Sequence, residues 1–252
     1  MTTVENVRTL RGVGSRRDTA RRRVIFLPHA GGCASAYLWA EHFPDDVEVC
    51  AVQLPGRENR FGEAPLSSMA EVVDEVAPAI AARTDLPYVL FGHSMGALVA
   101  YAVTRRLAEQ GAPLPRRLFV SAHRAPHLPD RDPLRDLPDD EFVARMPQSD
   151  LARMDPELRA LFLPMVRADI TVCETWAHPA TDPLPVPVTA LGGRDDDLVT
   201  EAELAPWREH TGADFAVELL PGGHFYPDGA ETVLAERIRR GFRLRPAQKG
   251  TF

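Results

Sequence analysis

Short apolar runs alternate along this chain with stretches whose apolar residues recur every three to four positions, and no other feature constrains the fold as much. Val24 to Leu27, Val47 to Leu54, Tyr88 to Phe91, Leu118 to Val120, Val186 to Leu191 and Phe215 to Leu219 read as strands. Between them, Ser68 to Ala82, Ala97 to Glu109 and Glu231 to Phe242 carry helical spacing. Several of the strands are continuously apolar, as strands buried on both faces are. The expectation is an α/β fold, a mostly parallel central sheet flanked by helices. With 252 residues, 44% of them apolar, the chain suffices for one large domain of this kind, and it shows no internal repeat.

Two stretches depart from the rhythm. Residues 1–22 are basic, with seven arginines between Arg8 and Arg23, and read as a poorly ordered leader ahead of a domain spanning 23–252. From Ala125 to Pro185 the alternation stops. Prolines and aspartates dominate first, then two helical patterns follow, about Asp139 to Met146 and about Pro156 to Trp176. An insertion of this sort between core strands reads as a helical lid over a site.

Charge and composition exclude several classes. A net charge of −7 gives no support to nucleic-acid binding, which favours a basic balance. No apolar run nears the roughly 18 residues needed to cross a bilayer, and no secretory signal opens the chain, so no membrane role is expected. Cys33, Cys50 and Cys173 are odd in number and widely spaced, which argues against disulfides and a metal site and fits the cytoplasm.

The candidate chemistry begins at Phe91-Gly92-His93-Ser94-Met95-Gly96, a G-x-S-x-G pattern between an apolar run and a helical one. In that context the serine sits on a strained strand-to-helix turn with its hydroxyl exposed, so Ser94 is the candidate nucleophile. A serine at its ordinary pKa needs a base, and the base needs an orienting carboxylate. Both follow in the order that this architecture uses. Gly193-Arg194-Asp195-Asp196-Asp197 comes after the run at Val186, and Pro221-Gly222-Gly223-His224 after the run at Phe215. Asp196 is the first choice for the acid, Asp195 the second, and His224 is the base. The amides of Met95 and of Ala30, in the glycine turn Pro28-His29-Ala30-Gly31-Gly32, are the expected oxyanion donors. His93 reads as packing within the serine turn; His42, His123, His127, His178 and His210 read as surface or lid residues.

Leu27-Pro28-His29-Ala30-Gly31-Gly32 with Tyr37 and Trp39, Gln53-Leu54-Pro55-Gly56-Arg57-Glu58-Asn59-Arg60, the Ser94 turn, Gly193-Arg194-Asp195-Asp196 and Pro221-Gly222-Gly223-His224-Phe225 occur in that order. Together, from about Val24 to Arg243, they resemble the type II thioesterases of modular polyketide synthase and nonribosomal peptide synthetase pathways. The resemblance implies the α/β-hydrolase fold and a stand-alone, monomeric editing enzyme without a cofactor. Such an enzyme clears acyl groups from the phosphopantetheine arm of acyl or peptidyl carrier domains. Carried over, Ser94 is the nucleophile, Asp196 the acid, His224 the base, and 125–185 the lid. The alternatives that share the serine chemistry are a small-molecule carboxylesterase and a malonyl-type acyltransferase, with a non-catalytic binding module as a third. Arg57 reads either as a contact for the pantetheine phosphate or as a surface arginine. Met154, Leu161, Phe162, Met165 and Trp176 read either as chamber lining or as packing.

Overall fold

The computed structural model of the chain describes residues 8–13, 19–37, 39–146 and 150–242. Among the described residues, seven strands form one sheet: β1 (Leu10–Gly12), β2 (Arg22–Leu27), β3 (Val47–Val52), β4 (Tyr88–His93), β5 (Leu118–Ser121), β6 (Val188–Gly193) and β7 (Phe215–Leu220). Their order across the sheet is β1-β3-β2-β4-β5-β6-β7. Only β1 runs antiparallel, against β3; every other pairing is parallel.

Period-two alternation explains why the central strands are apolar throughout. Ile25 and Leu27 of β2, Leu90 of β4, and Leu118 and Val120 of β5 point into one core. Val24, Phe26, Val89, Phe91 and Phe119 point into the other. The first core is capped by α1 (Met69–Ala81) and α2 (Met95–Glu109), the second by α6 (Glu231–Gly241). Local signals set the helix starts. Ser68 accepts a bond from the Glu71 amide while the Glu71 carboxylate takes the Ser68 amide, a complete capping box.

Strand order reverses between β2 and β4, the point where open α/β sheets gather ligands beyond the strands' C-terminal ends. The glycine turn after β2 and the serine turn after β4 flank that crevice.

The segment from Ala125 to Pro185 contains α3 (Asp139–Ala144) and α4 (Pro156–Thr175), and a short α5 (Glu201–Leu204) follows β6. Asp155 starts α4 by accepting the amides of Glu157 and Leu158, with Pro156 at the first helical position. Phe142, Val143, Leu151, Leu163, Met165 and Val166 form a core of their own, separate from the two that sandwich the sheet.

The leader expectation fails at residues 10–12. Leu10 pairs with Val52 in β1, and its side chain enters the core against the sheet. Beside it the Arg60 guanidinium donates to Thr9 Oγ1 at 3.1 Å, and Arg11 bonds Glu58 at 2.7 Å. A three-residue strand is too short to leave a periodic signal among arginines. Arg22 and Arg23 likewise belong to β2, where buried Arg23 is paired with Glu48 and Asp85, each at 2.7 Å. The remaining leader positions 1–7 and 14–18 lie outside the described residues.

Candidate active site

The serine turn is fixed by two close approaches of backbone to backbone. A Cβ on Gly92 would collide with the Gly96 carbonyl, and one on Gly96 with the Leu27 carbonyl of β2. Glycine is therefore required at both positions. Ser94 itself adopts φ 52°, ψ −119°, backbone that a side chain rarely tolerates, and it serves as the residue before the first turn of α2. Strain of this kind is retained where the surroundings enforce it. Here the Ser94 amide is tied to the Ser121 carbonyl at 2.7 Å, holding the turn to β5.

His224 stands between the other two candidates. Its Nε2 lies 3.1 Å from Ser94 Oγ and its Nδ1 3.0 Å from Asp196 Oδ2. The second carboxylate oxygen of Asp196 accepts the amides of Leu198 and Val199, at 2.9 and 3.1 Å. Those bonds orient the carboxylate so that Oδ2 faces the imidazole. Asp196 is buried, whereas Asp195 and Asp197 on either side are exposed. The acid turn and the histidine turn are themselves joined, since the Asp195 amide donates to the Gly222 carbonyl at 2.9 Å.

Ser94, His224 and Ala30 share the wall of a cavity of about 370 Å³, and Met95 opens α2 directly behind the serine. From the Ala125–Pro185 segment, Leu134, Ile170 and Cys173 complete its apolar side, and Asp130, Arg145 and Glu174 its polar side. A larger hollow of about 760 Å³ lies behind the histidine turn, but Ser94 is not on its wall. The chemistry assigns the site to the smaller one.

Beneath the serine turn, His93 is buried among the rings of His29, His224, Phe225 and Tyr226. Its Nδ1 lies 2.9 Å from Ser121 Oγ, which is 2.6 Å from the Tyr226 hydroxyl. Burial, and then the neighbouring imidazoles, hold His93 well below the ordinary histidine range, so it is a neutral packing residue. His29 is lowered as well, again chiefly by burial.

Several sequence expectations need correction. Arg57 is neither a surface arginine nor free for a phosphate: it is 1% exposed and clamps the Asp169 carboxylate with two bonds of 2.9 and 2.8 Å. Asp169, in the middle of α4, had no motif to announce it. Its one signal is a carboxylate on the apolar face of a helix beside Val166 and Val172. None of Met154, Leu161, Phe162, Met165 and Trp176 lines the cavity among the described residues. Met165 lies in the separate core of the inserted segment, and Met154 and Phe162 pack against it. Trp176 packs against the sheet's core, and Leu161 is 54% exposed. His210 is not a surface residue but is fully buried, bonded to Tyr101 and His127 at 3.0 and 2.8 Å.

Comparison with known proteins agrees with this architecture. The thioesterase domain family matches residues 22–241. The gramicidin S biosynthesis protein GrsT of Aneurinibacillus migulanus is 36% identical over 238 residues, covering 92% of this chain and 93% of that protein. The type II thioesterase BorB of the borrelidin biosynthetic cluster superposes with a TM-score of 0.83 at 34% identity, covering 93% of this chain and 98% of BorB. The thioesterase RedJ of the prodiginine pathway in Streptomyces coelicolor gives 0.81 at 36% identity, covering 89% of this chain and 87% of RedJ. The chain belongs to the thioesterase family, on the α/β-hydrolase fold, and is a hydrolase that acts on thioesters.

Proposed function

We propose that this enzyme is a stand-alone editing thioesterase, which hydrolyses acyl groups from the phosphopantetheine arm of carrier domains in polyketide or nonribosomal peptide biosynthesis. The observation that carries the reading is the double contact of His224, with Ser94 Oγ on one side and Asp196 on the other, at the wall of a cavity bounded by α4.

His224 takes the Ser94 proton as Oγ attacks the thioester carbonyl. Asp196 holds the imidazole in the tautomer with Nε2 free and stabilises the imidazolium that forms. The Ala30 and Met95 amides face the oxyanion of the tetrahedral intermediate, aided by the N-terminus of α2. The C–S bond breaks, and the pantetheine thiolate leaves with the proton from His224. Water then loses a proton to His224 and attacks the acyl-serine, releasing a carboxylic acid and restoring Ser94. Neither step calls for a metal or cofactor.

The Ala125–Pro185 segment is the lid in this reading, because it contributes Leu134, Ile170 and Cys173 to the cavity that holds Ser94. We read the enzyme as a cytoplasmic monomer acting on carrier proteins, with no nucleic-acid or membrane partner. Its three cysteines are free thiols, and no helix among the described residues is long and apolar enough to cross a membrane.

The test is thiol release from an acyl-pantetheine carrier domain, run beside the matching oxygen ester. Turnover of the thioester that is lost in Ser94→Ala is the expected result. Equal turnover by Ser94→Ala would overturn the mechanism, and a strong preference for the oxygen ester would make the protein a carboxylesterase.

A further inference from the structure

The glycine turn that carries Ala30 is gripped from two sides by one buried ion pair. Asp169 Oδ2 accepts the Gly31 amide at 2.7 Å, while Arg57 Nη1 donates to the Gly32 carbonyl at 3.1 Å. The two side chains close on each other through the bidentate contact described above, and each is 1% exposed. The peptide units that follow Ala30 are thus tied to the turn after β3 through Arg57 and to α4 through Asp169.

Packing reinforces the same attachment. Gly31 has φ +78°, a conformation natural to glycine, and a Cβ there would come within 3.1 Å of Val166 Cγ2. Val166 and Asp169 lie one turn apart on α4, so a single helical face presents both the methyl groups and the carboxylate to the turn. Ile170, the residue after Asp169, reaches the cavity wall. The helix that bounds the acyl cavity is also the helix that shapes the turn bearing Ala30.

A glycine-rich turn is conformationally loose by itself, and an oxyanion donor is effective only when it is aimed in advance. A charge-assisted bond to the next amide supplies that aim. Lifting α4 would strip the Gly31 amide of its acceptor and leave Arg57 as an unpaired buried cation, which is strongly unfavourable. We infer that Asp169 is the positioning residue of the oxyanion turn, and that its pairing with Arg57 makes the oxyanion hole complete only while α4 is seated. This rests on the reading of Ser94 as nucleophile and of the Ala30 amide as a donor.

The deciding experiment uses the full-length enzyme with the pair replaced by apolar residues of similar size, Arg57→Met/Asp169→Leu, so that no charge is left buried. A companion, Arg57→Met/Asp169→Asn, restores a carbonyl acceptor for the Gly31 amide without the charge. Each is assayed on the acyl-pantetheine carrier thioester and titrated with an acyl trifluoromethyl ketone, which forms a tetrahedral oxyanion on serine. The leucine variant is expected to lose about 100-fold in kcat with KM changed less than about threefold. Its affinity for the ketone should fall by a similar factor, and the asparagine companion should recover about tenfold of the kcat loss. A folded leucine variant with kcat within about threefold of wild type, or a loss that asparagine does not recover, overturns the inference. Amide exchange on the wild-type protein needs no variant to fold: Gly31 should open at the same rate as Val166–Thr175, and an independent rate overturns the coupling. Turnover surviving in Ser94→Ala would instead remove the underlying mechanism, whereas a dead Ser94→Ala beside a fully active double variant removes this inference alone.

Discussion

The floor and the cover of the cavity are built on different terms. The floor consists of turns at the C-terminal ends of parallel strands β2, β4, β5, β6 and β7, each linked to the next by backbone contacts. The cover consists of α3 and α4 around a small core of six buried side chains, joined to the floor where Asp169 meets Arg57 and Gly31, and to the sheet's core where Val172, Cys173 and Trp176 pack. In the floor, backbone geometry dictates residue identity. In the cover, Asp169 apart, only polarity and volume are prescribed. In the proposed reading, chemistry is thus placed on the floor and the fit to the acyl group on the cover.

The largest effect that would sharpen this contrast is Ser94→Ala, for which we expect a loss of about 10⁶ in kcat with the unfolding midpoint unchanged, measured by thiol release. Asp196→Asn should leave the geometry but favour the wrong imidazole tautomer, lowering kcat by about 10⁴. The neighbouring Asp195→Asn should stay near wild type in the same assay, because that side chain is exposed and does not reach His224. Comparable losses at both aspartates would break the assignment of the acid.

In the cover, Phe142 is fully buried and stacks with the Arg167 guanidinium 4.3 Å from its centroid. Phe142→Ala should cost about 3–5 kcal/mol of local stability. Hydrogen exchange should show that loss in α3 and α4 while β4 and β5 stay protected, because the cover's core is separate. Equal deprotection of the sheet would mean that cover and floor unfold as one unit.

The smallest effect concerns pH. Burial depresses His123 and His210 to about 4, and lowers His29 and His93 as well. Each is neutral in the fold but takes up a proton near its ordinary value of about 6.5 when unfolded. Between those limits the unfolded chain binds more protons, so stability is complete above about pH 6.5 and declines as the pH falls toward 4. α3 and α4 themselves contain no histidine, although burial also lowers His178 just beyond α4, so urea midpoints should follow this decline more steeply for the sheet than for the cover. A midpoint independent of pH across that interval would contradict the neutral burial of these rings.

Legibility in the sequence divides along the same line. The elbow at Ser94 was readable because Gly92 and Gly96 are forced by carbonyls that leave no room for a Cβ. The proposed acid and base, which the fold brings into contact, can be picked out because glycine turns after the runs at Val186 and Phe215 precede them in order. The cover could be recognised as an interruption, but not its wall: Leu161 and Ile170 have similar apolar character, yet one faces solvent and the other the cavity. Arg57 and Asp169 are 112 positions apart, and no local pattern connects them. Leu10 gives no local signal, because pairing with β3, not propensity, makes its three residues a strand.

The independence of the core around Phe142 has an evolutionary corollary. If the segment is the lid proposed above, its own buried core would let it be grafted as a cassette that alters acyl selectivity while the turns beneath stay intact. One condition attaches to any such graft: the donor segment must bring a carboxylate to the position of Asp169, or the recipient's arginine is stranded inside the protein.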